Sequence, residues 1–546
     1  MSNENFLSCL QMCLESLLQS LKRSVAVHVF VCQIYAQRQS IPTHDDSTEV
    51  KDNENTMDVN IVSGDEDQQN NVDDNVEVVV NEGDEMAAAQ LWAIEKSSSI
   101  LTSISELAQK SICQLLLMRK ESTAKLPLEQ MKFLWDMVLN FVYTVDKFNT
   151  TIRNLNTVES DEEDSHNEDK EDKLSATVSI STLLDAAVVN LSTFPLRNGL
   201  LNQTKKFIEY LHESYKGKLV NTLDNEKWLQ CDVPPERQTA LDVLTSGRSL
   251  MQKKDNSNAT SAVATSTSNS SNGSVTSKSK KKDLVPIVVD GNSFKIVWSA
   301  LFLVEVILNY LDIAIQFAPI TKDIIAKTVE ILTLFDSRSK QLVLGAQAIQ
   351  SAARLKSIAA KHLGIIAQSL TFLTAILPHL RAAFLSQLPP EHHLVLVEMD
   401  RVSKNIQDHH SKVLQKFVSI VGDFVDVSAQ KLVVLDWDRF NGQCEYFDEV
   451  CRNVSALHRV LSVYLPPDQM QDVFDRIFSL LSRKIPSHFN EVMPSTQTGK
   501  QRIMDETVHL VHNFSSLKYT NTNNLTVEDT LRKKYEVTFS GNDSKL

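Results

Sequence analysis

Pairs of adjacent prolines interrupt this chain at three points where an apolar helical pattern stops and then resumes. The stretches are CDVPPERQTALDVL, QLPPEHHLVLVEMD and SVYLPPDQMQDVFDRIF, and the pairs are Pro234–Pro235, Pro389–Pro390 and Pro466–Pro467. The first proline of a pair cannot continue the preceding helix, whereas the second fits the first turn of the next helix, where no N–H partner is needed. An acid follows each pair, where the positive end of a helix dipole favours it: Glu236, Glu391 and Asp468. The pattern predicts helices that are joined through sharp turns.

Glycine usage supports a helical chain. There are 13 glycines in 546 residues, far below the usual share of about 7%, which disfavours turn-rich β architecture and glycine-built phosphate loops. Leucines at steps of three and four, from Leu7 to Leu21, predict an amphipathic first helix. The stretch VPIVVDGNSFKIV is the expected short extended piece, turning at Asp290 and Gly291. We therefore predict an all-α fold with helices laid end to end and side by side.

The formal net charge of −14 is concentrated in inserts and not in the helical segments. Between Asp45 and Glu85 fifteen acids accompany one lysine, and between Glu159 and Lys173 nine acids accompany two lysines. A Ser/Thr-rich tract over residues 251–283 holds six lysines and two aspartates. Such segments cannot offset the entropy of ordering by apolar burial, so we predict that they are disordered. The rest of the chain is nearly neutral and lacks the basic stripe that nucleic acid requires.

The inserts suggest the domain boundaries. The tract at 251–283 is a flexible linker by composition, and the longest uninterrupted globular stretch follows it. We expect N-terminal amphipathic helices over 1–38, an acidic disordered insert over 39–86, a helical bundle over 87–250 with an acidic loop at 159–173, the Ser/Thr/Lys-rich linker over 251–283, and a C-terminal helical-bundle domain over 284–546.

Cysteine usage and hydropathy bear on the compartment. Seven cysteines are scattered along the chain, an odd number that indicates a reduced, cytosolic protein. No basic region followed by an apolar core comes after Met1, so we expect no signal peptide. The most apolar stretch, FKIVWSALFLVEVILNYLDIAIQF, is interrupted by Lys295, Glu305 and Asp312 and is predicted to be a buried helix.

Several fragments imitate catalytic or metal-binding patterns. Ser122–Lys125 and Ser337–Lys340 fit S-x-x-K, but no S-D-N or K-T-G partner occurs in the chain. Cys444, Cys451 and His458 are seven residues apart, which separates neighbours on a helix by about 10 Å, too far for one zinc ion. We expect these three in a core or seam and the pair His409–His410 to be exposed. We predict no catalytic residue, metal, cofactor or small-molecule substrate.

Two segments resemble the C-terminal half of the family of vacuolar protein sorting-associated protein 54. One is LDNEKWLQCDVPPE, from Leu223 to Glu236, and the other is FDSRSKQLVLGAQAIQSAARLKSIAAKHLG, from Phe335 to Gly364. The stretch RAAFLSQLPPEHH is also similar to the family. The signature residues, which we expect to be structural, are Trp228, Pro234, Pro235, Phe335, Arg338, Leu342, Leu344, Gly345, Pro389 and Pro390.

The resemblance implies a non-enzymatic subunit of the Golgi-associated retrograde protein (GARP) complex, a tether of the helical-rod type. Such a subunit captures endosome-derived vesicles at the trans-Golgi network, and its partners are the other GARP subunits, SNARE proteins and membranes that it contacts peripherally from the cytosol. Family members carry a long N-terminal region with a coiled coil that joins the sibling subunits, and we expect this stretch to begin after it. Two alternatives are a subunit of a related tether such as the exocyst and an α-helical enzyme with a carboxylate or metal site.

The second signature segment carries specific expectations. Phe335, Leu342, Val343 and Leu344 are expected in packing, with Leu342 and Leu344 on the buried side of the helix. Gly345 is expected to allow the close approach of another helix. A contact role for Arg338 or Lys340 stays open.

Overall fold

A computed structural model gives the fold. It describes residues 2–39, 82–155, 189–247, 284–345, 359–432, 435–439, 442 and 444–535. Fourteen α-helices and one β-hairpin run through these ranges: α1 Asn3–Gln39, α2 Glu82–Met118, α3 Lys120–Thr123, α4 Leu128–Leu155, α5 Phe194–Asp224, α6 Pro235–Thr245, β1 Ile287–Val289, β2 Asn292–Phe294, α7 Trp298–Gln316, α8 Thr321–Leu344, α9 Ala360–Leu385, α10 Val397–Ser428, α11 Glu445–Leu461, α12 Pro467–His488, α13 Gln497–Ser515 and α14 Val527–Tyr535. The predicted all-α class is confirmed, and the end-to-end rod stays a prediction.

The chain forms two compact units, Met1–Phe207 and Ile208–Leu546, which divide within α5. The predicted domain boundaries stay predictions. The inserts predicted to be disordered, at 39–86, 159–173 and 251–283, fall outside the described residues except at the edges of the first, where Gln39 ends α1 and residues 82–86 begin α2 and are helical against the prediction.

In the first unit α1 packs against α2 and α4. The predicted leucine face is buried at Leu7, Leu10, Leu14 and Leu21. The two long helices run in opposite directions: the Arg119 guanidinium, just after α2, donates to Asn3 Oδ1 at 2.9 Å, and His28 Nδ1 lies 2.8 Å from Ser97 Oγ. The unit is therefore organised on an antiparallel helix pair.

The second unit is built around α7, α9 and α10. Helix α10 packs on α8, α9, α11 and α12, and α14 closes against α12 and α13. Two described helices, α7 and α9, have the length and apolar composition of a membrane span, but 61% and 72% of their most apolar windows are buried inside the fold. Burial of this extent is typical of core helices, and it confirms the predicted burial of α7.

The predicted extended piece is a two-stranded antiparallel hairpin. Asp290 and Gly291 form its turn with φ of +51° and +77°, and a pair of left-handed residues suits a tight hairpin turn. The Gln238 side chain from α6 donates to the Val288 carbonyl at 2.8 Å and accepts from the Val288 N–H at 2.9 Å. It therefore occupies hydrogen-bonding groups of β1 that would otherwise be open.

All three proline pairs start helices as predicted. The first proline of each pair is extended and the second opens the next helical segment: α6 begins at Pro235, a 3₁₀ segment leading into α10 begins at Pro390, and α12 begins at Pro467. The acids that follow lie in the first turns, where the N-terminal dipole favours them: Glu236, Glu391 and Asp468.

Candidate functional site

The first signature segment leaves α5 through a tight loop. Trp228 has φ +54°, an uncommon backbone conformation for a bulky residue, while its indole is buried. The neighbouring Glu226 holds this turn because its Oε1 accepts from the backbone N–H groups of Lys227 at 3.0 Å and Trp228 at 3.3 Å. The signature tryptophan is thus placed by a carboxylate two residues before it.

Glu226 also joins this loop to the next helix. Its Oε2 accepts from the backbone N–H of Ser299 at 2.8 Å, in the first turn of α7. Val297, which precedes that helix, has no side chain that could cap it, and its own N–H donates to Ser369 Oγ at 3.1 Å. A carboxylate at this position satisfies one orphan donor and complements the helix dipole. The capping group therefore comes from a residue 73 positions away.

An ion pair brings the two signature segments together. Nε and Nη2 of Arg338, on α8, each lie 2.8 Å from Oδ1 of Asp224 at the end of α5. Each side chain is about 30% exposed, so the pair is partly shielded from solvent. The contact role left open for Arg338 is an intramolecular one in this structure.

The second signature segment differs in part from expectation. Phe335 and Leu342 are buried as predicted, and Val343 is buried beside them. Leu344 is only half-buried, because it is the last residue of α8 and the buried face there passes through the two preceding residues. The expectation that Leu344 shares the buried side with Leu342 is therefore wrong.

The role expected of Gly345 is also wrong. Gly345 is exposed, and a Cβ there would lie 2.5 Å from the Gln341 carbonyl oxygen of its own helix. It therefore serves the end of α8 and not a contact between helices. The close approach occurs at Gly364, where a Cβ would lie 3.0 to 3.1 Å from side-chain atoms of Tyr464.

The same segment contacts α10 through a buried polar pair. Asp336 Oδ1 lies 2.9 Å from Nδ1 of His409, whose ring is fully buried. The sequence predicted that His409 would be exposed, which is wrong because its face of α10 packs on α8. Two polar contacts, from Asp336 and Arg338, thus anchor the segment on either side.

A second polar cluster joins α5 to α7 and α8. His212 is fully buried, with Nδ1 2.7 Å from the Tyr310 hydroxyl and Nε2 3.0 Å from Glu330 Oε2. Burial lowers the pKa of His212 below its usual value. Burial favours a higher pKa for Glu330, but its contact with Lys216, helped by His212, brings that pKa below its usual range.

This cluster includes a group of possible metal ligands. Atoms of His212, Glu213 and Glu330 lie within 4.8 Å of one another. The Lys216 ammonium, however, lies 3.1 Å from Glu213 and 2.7 Å from Glu330. A cation already neutralises both carboxylates, so the arrangement fits an ion-pair network better than a metal site.

The fragments that imitate active sites have structural surroundings. The Ser337 hydroxyl donates to the Leu334 carbonyl of its own helix at 3.2 Å. Cys444 and His458 are buried, as expected of core positions, and the His458 Nε2 lies 2.8 Å from the Lys518 carbonyl oxygen.

Among the signature residues, Trp228, Phe335 and Leu342 are buried and Arg338 pairs with Asp224. Glu226, which contacts both the Trp228 turn and α7, is the residue of this region that the sequence did not point to.

Comparison with known proteins places this region in a family. Residues 291–423, from the hairpin turn into α10, match the family model described as Vps54-like protein. Proteins named vacuolar protein sorting-associated protein 54 align with the chain: 29% identity over 332 residues in Mus musculus, covering 59% of this chain and 32% of that protein, and 30% over 300 residues in Homo sapiens, covering 54% and 28%. The Arabidopsis thaliana protein, whose name adds "chloroplastic", is 27% identical over 365 residues, covering 56% and 35%.

The chain spans about a third of the length of these curated relatives. No solved structure matches it. The family match covers the helices that carry Phe335, Arg338, Leu342 and the third signature stretch, and the Asp224–Arg338 pair links them to the first. The chain therefore contains a Vps54-like region over residues 291–423 and is similar to proteins named vacuolar protein sorting-associated protein 54.

Proposed function

We propose that this chain is a non-enzymatic subunit of the GARP tethering complex, which captures endosome-derived vesicles at the trans-Golgi network for retrograde transport. The observation that carries the proposal is the family relationship together with the tie between the two signature segments through Asp224 and Arg338. Tethering needs reach and several weak contacts, which a series of helical bundles can supply without a catalytic pocket. The partners would be the other GARP subunits, SNARE proteins and the cytosolic face of endosomal or Golgi membranes.

The signature contacts support a scaffold role over an enzymatic one. In the described residues, three carboxylates of the signature segments are engaged within the fold: Glu226 with the start of α7, Asp224 with Arg338, and Asp336 with His409. An active site instead presents its polar groups to a substrate cleft. We infer that these segments keep the helices in fixed relation while other surfaces meet the partners.

Co-immunoprecipitation followed by mass spectrometry tests the proposal. A tagged form of this chain is compared with the same chain extended at its N-terminus by the coiled-coil region of a curated relative. We expect the extended form to recover the other GARP subunits and the chain alone to recover them poorly. Recovery of exocyst subunits in their place would contradict the assignment to GARP. Full recovery of GARP subunits by the chain alone would place the assembly surface in the helices described here.

A further inference from the structure

An apolar groove of about 650 Å³ opens in the first compact unit, between the end of α2 and the first turns of α5. Cys113, Leu116 and Leu117 from α2 and Pro195 and Gly199 from α5 form its apolar wall, and three polar residues of α5 also line it: Asn198, Asn202 and Gln203. Gly199 keeps this wall close, because a Cβ there would already touch Cys113 Sγ at 3.4 Å. The volume lies within the range of about 300 to 1,000 Å³ that is usual for ligand sites.

Three lysines stand at the rim of this groove: Lys120 after α2, and Lys205 and Lys206 on α5. Contact with the Lys120 ammonium lowers the pKa of Lys206, so the two cations are near neighbours. No carboxylate lies within 4.0 Å of the Lys120 or Lys206 ammonium in the part of the chain that the structure describes, although the Glu121 carboxylate is near enough to act on the pKa of Lys206 in the opposite direction. Two like charges held together at an apolar opening would be stabilised by an anion between them.

The rim also carries exposed apolar side chains. Leu117 is 63% exposed and Met118 is 80% exposed at the end of α2, beside the lysines. Cationic and apolar groups that share one exposed edge match the boundary between the headgroups and acyl chains of an anionic membrane. A nucleic-acid strand would instead need aromatic stacking platforms, and none of the groove residues is aromatic.

We propose that this groove binds one anionic phospholipid of a membrane, with an acyl chain along Leu116, Leu117 and Pro195 and the phosphate between Lys120 and Lys206. The apolar wall supplies burial for the chain, and the lysine pair supplies the charge that selects the headgroup. The groove residues belong to the first compact unit, whereas the signature residues belong to the second.

Vesicle co-sedimentation of the full chain tests this assignment. The probes are phosphatidylcholine vesicles with and without phosphatidic acid, and dihexanoyl phosphatidic acid as a monomeric competitor. We expect binding only to the anionic vesicles. Lys120→Ala combined with Lys206→Ala should weaken that binding about 30-fold, since a lysine near an anionic surface contributes about a factor of five. Lys22→Ala with Lys96→Ala is the matched control on exposed lysines of α1 and α2, where Lys96 lies about 25 Å along α2 from Cys113.

A second pair of variants tests the apolar wall. Leu117→Gln should weaken binding about tenfold through lost acyl burial. Leu107→Gln replaces an equally exposed leucine of α2 outside the groove and should change nothing. Because all of these positions are on the surface, circular dichroism should show unchanged helicity for each variant.

Four results would overturn the proposal. One is equal binding to neutral and anionic vesicles, and another is equal loss in the control and groove variants. The third is competition by inorganic phosphate as strong as that by dihexanoyl phosphatidic acid, which would reduce the site to an anion site without a role for the apolar wall. The fourth is a chain that does not bind vesicles and from which an acidic peptide displaces dihexanoyl phosphatidic acid, which would assign the groove to a protein partner.

Discussion

Replacement of Glu226 by alanine should loosen the start of α7 and the Trp228 turn together. The Ser299 N–H that this carboxylate accepts from is fully buried, so water cannot replace the lost acceptor. An unsatisfied buried donor costs about 1 to 3 kcal/mol, and loss of a negative charge at a helix N-terminus adds about 0.3 to 1 kcal/mol. The N–H of Lys227 belongs to an exposed residue and can bond to water instead. We therefore expect about 1.3 to 4 kcal/mol of local destabilisation.

Hydrogen exchange measured by mass spectrometry on the full chain reports this change segment by segment. For Glu226→Ala, the amides of the loop that contains Trp228 and of the first turn of α7 should exchange at least about tenfold faster, because 1.4 kcal/mol corresponds to a factor of ten. Glu226→Gln retains one acceptor oxygen and should lie between the alanine variant and the parent chain.

Glu236→Ala is the matched control. Glu236 is also an acid in a first helical turn, but its side chain is exposed and makes no buried contact. Its loss should cost no more than about 1 kcal/mol. If the amides in the first turn of α7 exchange at the same rate in Glu226→Ala and Glu236→Ala, the conclusion that Glu226 caps α7 is refuted.

Three further predictions concern single contacts. A double-mutant cycle on Asp224 and Arg338, each changed to alanine, should give a coupling of about 1 kcal/mol in urea denaturation, and a coupling near zero would remove the tie between the signature segments. Leu342→Ala should cost about 2 to 5 kcal/mol, whereas Leu344→Ala should cost clearly less because that side chain is half-buried, and equal losses would contradict the burial described. Burial lowers the pKa of His212 in the folded chain. As the pH falls below about 6.5, the unfolded chain binds a proton at this histidine before the folded chain does. The free energy of unfolding therefore decreases below that pH, by up to about 1.4 kcal/mol per pH unit. His212→Asn should therefore flatten the fall in urea midpoint between about pH 7 and pH 5, and an unchanged slope would contradict a neutral buried histidine.

Local signals in the sequence predicted the fold class and the points at which helices start after the proline pairs. A proline acts on its own and the preceding residue, so the helix starts at Pro235, Pro390 and Pro467 could be read directly. The turn at Asp290 and Gly291 was similarly local. Helical periodicity identified α1 from its leucine spacing alone.

The candidate site was predicted less completely because its contacts are not local. Glu226 contacts a helix 73 residues away, and Arg338 contacts an acid 114 residues away, so no spacing rule connects them. The burial of His409 depends on which face of α10 meets α8, which neither histidine of that pair reveals. The only hint of the capping role in the sequence was an acid two residues before the tryptophan of the segment that ends in a proline pair.

The bonds between α6 and the hairpin fix both ends of the Ser/Thr-rich stretch that separates them in sequence. Gln238 holds Val288 through two hydrogen bonds, the Val285 N–H donates to Asp232 Oδ1 at 3.0 Å, and the Cys231 N–H donates to the Ile296 carbonyl at 3.0 Å. Where the fold already holds both ends of a connection, doubling the length of the connecting chain costs only about 0.6 kcal/mol of closure entropy. The chain can therefore be lengthened, shortened or given a fluorescent domain between residues 251 and 283 while the helices on either side keep their packing.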